Sequence, residues 1–107
     1  MKRVFRSNIV IKWLSRLRDL RAKQRLAVRI RRLKRGNPGD VKPVGEGISE
    51  MRENYGPGYR LYYTETEKEI ILLLCGGDKS TQPADIKEEK KIANDPSTYT
   101  WEEDKEE

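Results

Sequence analysis

Arginine and lysine set among tyrosines are the side chains whose types and spacing suggest chemistry. Arg52, Arg60 and Lys79 flank the turn Tyr55-Gly56-Pro57-Gly58 and the segment Tyr59–Glu65. Proline presets one φ and the glycines accept positive φ, so the turn is tight. Antiparallel pairing across it sets Arg52 beside Arg60 or Tyr62. The next hairpin, turning near residues 66–67, returns Gly76–Lys79 to the same end. Lys42, entering the sheet region, joins this group. A guanidinium offers a planar fork to phosphate oxygens. A tyrosine ring, Tyr59 or Tyr62, offers a face to an unpaired base. Gathered cations repel one another unless an anion binds or Glu50, Glu53 and Glu65 neutralise them as ordinary solvated sheet residues.

Other chemistries are excluded by what the chain lacks. With no histidine among 107 residues, a Ser-His-Asp or Cys-His device is impossible. One cysteine permits no intramolecular disulfide and leaves little for a zinc site. Cys75 ends an apolar run and reads as a small buried hydrophobe. Gly76-Gly77 lacks the spacing of a phosphate-binding P-loop, and reads instead as a sharp strand exit that aims Asp78 and Lys79. No metal and no small-molecule cofactor is expected.

The net charge of +5 conceals an asymmetry: residues 1–42 carry +13 and residues 43–107 carry −8. A half-chain at +13 calls for an anionic partner, or for a helical face left in solvent. Arg25, Arg29 and Arg32 are the nucleic-acid-binding candidates there. No apolar run is long enough to cross a bilayer, and the N-terminus has no signal-peptide apolar region, so a soluble cytoplasmic protein is expected.

Positioning these side chains requires a frame. Ile9, Val10, Trp13, Leu14 and Leu17 form one helical stripe after a Ser7 or Asn8 cap. Ala22, Leu26, Ile30 and Leu33 form another after Asp19, ended by Gly36. The short join suggests a helical hairpin, whose apolar face needs a sheet. Strands are expected at Val41–Val44, Ile48–Asn54, Tyr59–Glu65 and Glu69–Cys75, with a weak first strand at Lys2–Arg6. The EIILLLC run is apolar on both faces and is therefore central. By parity Met51, Leu61 and Tyr63 face the helices, while Arg52, Arg60 and Tyr62 face away. A last helix begins near Gln82-Pro83. The expected fold is α+β: a helical hairpin on a small antiparallel sheet with a C-terminal helix, one domain over 1–93. Residues 94–107 are expected to be a mobile acidic tail, with Tyr99 and Trp101 unassigned. One further expectation has that tail screening the Arg52/Arg60/Lys79 face.

The segments WLSRLRD (13–19), RIRRLKRGNPGDVKPVGEGISEMR (29–52), YGPGYRLYY (55–63) and LLLCGGDKSTQPADI (72–86) carry a family likeness. Over residues 4–93 the chain resembles the RelE/ParE superfamily of toxins of type II toxin–antitoxin modules. It is most similar to the phage Gp49-like, HigB-related branch of addiction-module killer proteins. The resemblance implies a partner antitoxin of helix-turn-helix type. It also implies one of two activities: ribosome-dependent mRNA cleavage by metal-free attack of a ribose 2′-OH on the next phosphate, or inhibition of DNA gyrase. A toxin-fold protein that only binds its antitoxin stays open as well. In the nuclease pattern the implied catalytic residues are Arg60, Lys79, Arg52 and Lys42. The sequence departs from that pattern where relatives place a tyrosine, near Asp85, and it lacks the HigB-like histidines. Glu53 replaces an apolar residue.

Overall fold

The computed structural model describes residues 1–66 and 69–105. The expected turn at Thr66–Lys68 falls partly outside them. Six strands form one sheet: β1 (Arg3–Ser7), β2 (Val41–Gly45), β3 (Ile48–Glu53), β4 (Tyr59–Glu65), β5 (Ile70–Asp78) and β6 (Trp101–Asp104), in the order β2-β3-β4-β5-β1-β6. The helices are α1 (Asn8–Arg16), α2 (Leu20–Lys34) and α3 (Gln82–Asn94), with a 3-10 turn at Pro96–Thr98. No described helix is long and apolar enough to cross a membrane.

The helices divide between the two faces of the sheet. On one, Trp13 and Leu14 of α1 and Ile30 and Leu33 of α2 meet Val4, Met51, Leu61, Tyr63, Ile71 and Leu73. On the other, Ile86 and Ile92 of α3 meet Ile48, Tyr62, Leu74 and Cys75. The parity reading thus holds for both sets. β5 lies between β4 and β1 with cover on both sides, which is why its sequence is continuously apolar.

Side-chain caps fix where the helices start. Ser7 Oγ accepts from Val10 N at 3.0 Å and donates to Leu74 O at 2.7 Å, tying the start of α1 to β5. Asp19 accepts from Arg21 N and Ala22 N at 3.0 and 3.2 Å. α2 stops at Gly36, whose φ of 81° suits the left-handed C-terminal position.

Three expectations are corrected. The sheet is mixed, because β1 runs parallel to β5, and larger than expected, because β6 adds a sixth strand. The poor alternation of Lys2–Arg6 gave no warning of a strand paired on both sides.

The acidic tail is also built into the sheet. β6 pairs antiparallel with β1, Thr100 O accepts from Asn8 N at 2.9 Å, and Trp101 Nε1 donates to Pro96 O at 2.9 Å. Tyr99 and Trp101 pack against the core beneath α3. A four-residue strand held largely by ion pairs has no apolar period to reveal it. At the far edge from β3, it does not cover Arg52 or Arg60.

Finally, Gly76-Gly77 is not a strand exit, since β5 continues through Asp78. A Cβ on Gly76 would overlap the Trp13 ring, and one on Gly77 would overlap Asp85 and Thr81. The glycines let a helix approach the sheet from each side.

Candidate nucleic-acid interface

The cations converge as the register requires. Arg52 pairs across β3–β4 with Arg60, and Arg60 pairs across β4–β5 with Gly77. Lys79 follows β5 immediately. Gly58, with φ 83°, separates them: a Cβ there would lie 3.5 Å from Arg60 Nη1 and 3.7 Å from Lys79 Cβ. Arg52, Arg60 and Lys79 therefore share one end of the sheet. Lys42 is exposed on the edge strand β2, opposite Glu50, one pair deeper along the same face.

Carboxylates already engage two of these arginines. Arg60 is 8% exposed, its Nε lies 3.4 Å from Glu50 Oε1, and its Nη1 donates to Tyr59 O at 3.2 Å. Gln82 Nε2 donates to Glu50 Oε2 at 2.6 Å, so the first residue of α3 closes over this pair. Arg52 Nη2 donates to Asp40 Oδ1 at 2.9 Å and remains partly exposed. Lys79 is exposed and extends from the turn Asp78–Thr81, which Asp78 ties together by accepting from Ser80 N at 2.8 Å.

Tyr62 does not serve as expected. Tyr62 is 0% exposed beneath α3, so no face of its ring is open to a base. Burial, with Glu50, Asp85 and Glu89 nearby, pushes its hydroxyl pKa up. Tyr59 is half-buried on the opposite face from Arg60, edge-on to Trp13 with ring centroids 6.4 Å apart. The parity argument put Tyr62 on the correct face, but α3 covers that face at its position.

The α2 arginines fall into two kinds. Arg29 is buried: Nη1 donates to Arg52 O and Nη2 to Pro38 O and Asp40 O, at 2.5, 3.0 and 3.2 Å, and Glu53 lies 3.1 Å from Nη1. It is a clamp between α2 and the approach to β3, not a surface ligand. Glu53, unexpected in the sequence, is its counter-charge. Arg25 also pairs with Glu53, at 3.2 Å, and its guanidinium lies 4.9 Å above the Tyr55 ring. Arg25 and Arg32 remain exposed, on a groove with Arg21 and Gln24.

Sequence reading missed the acids beneath α3. Asp85 occupies the space left by Gly77 and accepts from Thr81 Oγ1 at 2.5 Å; burial raises its pKa despite that bond. Glu89 is 0% exposed, neither oxygen has a hydrogen-bond partner among the described residues, and burial, with Glu50 facing it, raises its pKa to about 8. The i, i+4 spacing of Asp85 and Glu89 marks one helix face, which the single apolar pair Ile86 and Ile92 did not make evident. Among the described residues no group of three or more Cys, Asp or Glu side chains is placed to hold a metal.

Comparison with known proteins identifies a family. No solved structure matches the chain. An uncharacterized protein of Haemophilus influenzae (strain Rd) is 51% identical over 83 residues, which cover 78% of this chain and 84% of that relative. Residues 12–96 match the model of the phage-derived protein Gp49-like family (DUF891). That stretch runs from α1 through α3 and takes in every cation of the candidate site. The chain belongs to the phage-derived Gp49-like family, which is associated with toxin–antitoxin modules.

Proposed function

We propose that the chain is the toxin of a toxin–antitoxin module and acts as a ribosome-dependent mRNA endonuclease. The observation that carries this reading is that Arg52 pairs with Arg60 across β3–β4, and Arg60 and Lys79 flank Gly58, at one end of the sheet. Such a cluster suits a phosphate that gains negative charge during attack by the neighbouring 2′-OH. Arg60 and Arg52 hold the phosphate, and Lys79 or Lys42 accepts the 2′-OH proton. Asp85, with its raised pKa and its place behind Gly77 in the Arg60 row, is the candidate to protonate the leaving 5′-oxygen. Exposed Arg25 and Arg32 bind ribosomal RNA, and a helix-turn-helix antitoxin neutralises the chain. The test is to express the chain without its antitoxin and map mRNA 5′ ends, with Arg60→Ala and Arg60→Lys as comparisons. New ends in the parent that vanish in Arg60→Ala support the assignment. Ends that persist there reject it.

A second reading is a gyrase-directed or purely antitoxin-binding protein. It is favoured by the burial of Tyr62 and by the Glu50 contact that already occupies Arg60. Loss of supercoiling by purified gyrase, with translation unaffected, would establish its first form.

A further inference from the structure

β6 sets three successive carboxylates against three cations. Glu102 lies 4.0 Å from Arg6, Glu103 3.0 Å from Arg3, and Asp104 2.9 Å from Lys34. The ladder with β1 keeps this segment extended, with one charge per residue. Repeated negative charge along an extended chain is also what a nucleic-acid backbone presents. Beside β6, Arg6 and Asp104 line the mouth of a cleft of about 340 Å³ between α1 and α2. Lys23 and Arg31 stand on the same cleft, eight residues apart along one side of α2. Among the described residues neither has an ion pair.

We propose that β6 is a strap acting in cis. Its carboxylates occupy Arg3, Arg6 and Lys34 in place of the phosphates of a single-stranded nucleic acid. Its release opens a second nucleic-acid site along β1 and the Lys23–Arg31 row. This site lies at the other side of β5 from Arg60. Release of Glu102–Asp104, with Trp101 left packed on the core, is feasible because the segment is short and two of its three ion pairs are partly exposed, where such pairs hold weakly. A nucleic acid fits better than an acidic protein strand. The cations continue past the sheet edge onto Lys23 and Arg31 of α2, which β6 leaves without an ion pair. The proposal shares with the preceding section the idea of a nucleic-acid ligand, but not the cleavage step.

The test uses the full chain and fluorescent oligouridine, with binding followed by anisotropy across a salt series. Glu102→Gln/Glu103→Gln keeps the strand and releases Arg6 and Arg3 from their ion pairs. Affinity at low salt should rise about tenfold and the log–log salt slope should steepen by ~1.4, at ~0.7 per phosphate. Glu46→Gln/Glu88→Gln changes net charge equally at other positions and should give under about a twofold gain. The gain should vanish when Arg3→Ala and Arg6→Ala are both added, fall by about half with Arg6→Ala alone, and survive when Arg60→Ala is added. Survival there alongside failed 5′-end mapping would sink the cleavage reading alone. An equal gain in the control pair, or no gain at all, overturns the strap. Tighter binding of oligoglutamate than of oligouridine of equal charge overturns the nucleic-acid assignment. Should the variant unfold, hydrogen exchange on the parent decides. Oligouridine should lower amide protection in β1 and β6, and unchanged protection overturns the proposal.

Discussion

Arg60 Nε stands 3.4 Å from Glu50 Oε1, with both side chains almost fully buried at the start of α3. The cation best placed to hold a phosphate is therefore also a structural partner. A substrate phosphate must draw the guanidinium from Glu50, or share it. Removing Arg60 leaves a buried carboxylate with Gln82 as its remaining hydrogen-bond partner. Arg60→Ala should cost ~3–5 kcal/mol, as when one member of a buried pair is deleted. Arg60→Ala/Glu50→Gln should recover much of that. Urea midpoints measured for the two single variants and the double variant would show the coupling. Additive losses would mean the pair is not coupled. Activity of Arg60→Ala is interpretable only beside this measurement.

Glu89 makes stability depend on pH. Its carboxyl pKa is raised from the ordinary 4.5 to about 8 in the folded chain, by burial first and by Glu50 second. The folded state thus holds this proton to higher pH than the unfolded state does. The contribution is fully present below about 4.5 and is lost as pH rises towards 8. Asp85 shifts in the same direction. Glu89→Gln should remove this slope and raise stability at pH 8.5 by roughly 3–4 kcal/mol, with little effect at pH 5. Thermal melts of parent and variant across that range would check it. Parallel curves would show that Glu89 is not the titrating group.

Gly76 and Gly77 serve opposite faces, and their alanine variants should fail differently. Gly76→Ala drives a methyl into the indole of Trp13, a rigid ring between α1 and the sheet. It should cost ~1–3 kcal/mol and shift Trp13 fluorescence. Gly77→Ala expels Asp85 and Thr81, and with them the first turn of α3. Its loss should appear as faster hydrogen exchange confined to α3. Exchange that quickens across the whole sheet would contradict this division.

Much of the fold was legible because apolar period and parity report burial directly. EIILLLC announced a strand covered on both faces, and alternation from Tyr59 to Tyr63 assigned each side chain to a face. β6 was not legible, because ion pairs leave no apolar period. The role of Gly76-Gly77 was not legible either, since a glycine that makes room for a ring resembles one that makes a turn. The site was read in part. Register put Arg52 beside Arg60, but parity alone does not reveal that α3 covers Tyr62 and stops short of Arg52. Nor does a row of arginines on α2 reveal which one turns inward.

Arg29 and Arg32 test that last distinction. Arg29 donates to three backbone carbonyls and faces Glu53, joining α2 to Pro38, Asp40 and Arg52. A lysine has neither the fork nor the reach to satisfy these acceptors together. Arg29→Lys and Arg29→Ala should therefore both destabilise the chain, by ~2–4 kcal/mol for alanine, since several charge-assisted bonds are lost and Glu53 keeps one partner, Arg25. Arg32 is exposed on the groove beside Arg21 and Gln24. Arg32→Ala should leave the urea midpoint within about 0.5 kcal/mol of the parent. It should weaken binding to single-stranded RNA and lower the salt slope by ~0.7, one phosphate contact. Arg32→Lys should restore most of that binding, because a phosphate on an open surface responds chiefly to charge. A stable Arg29→Ala chain with reduced RNA affinity would reverse the assignment, making Arg29 the ligand and its carbonyl contacts incidental.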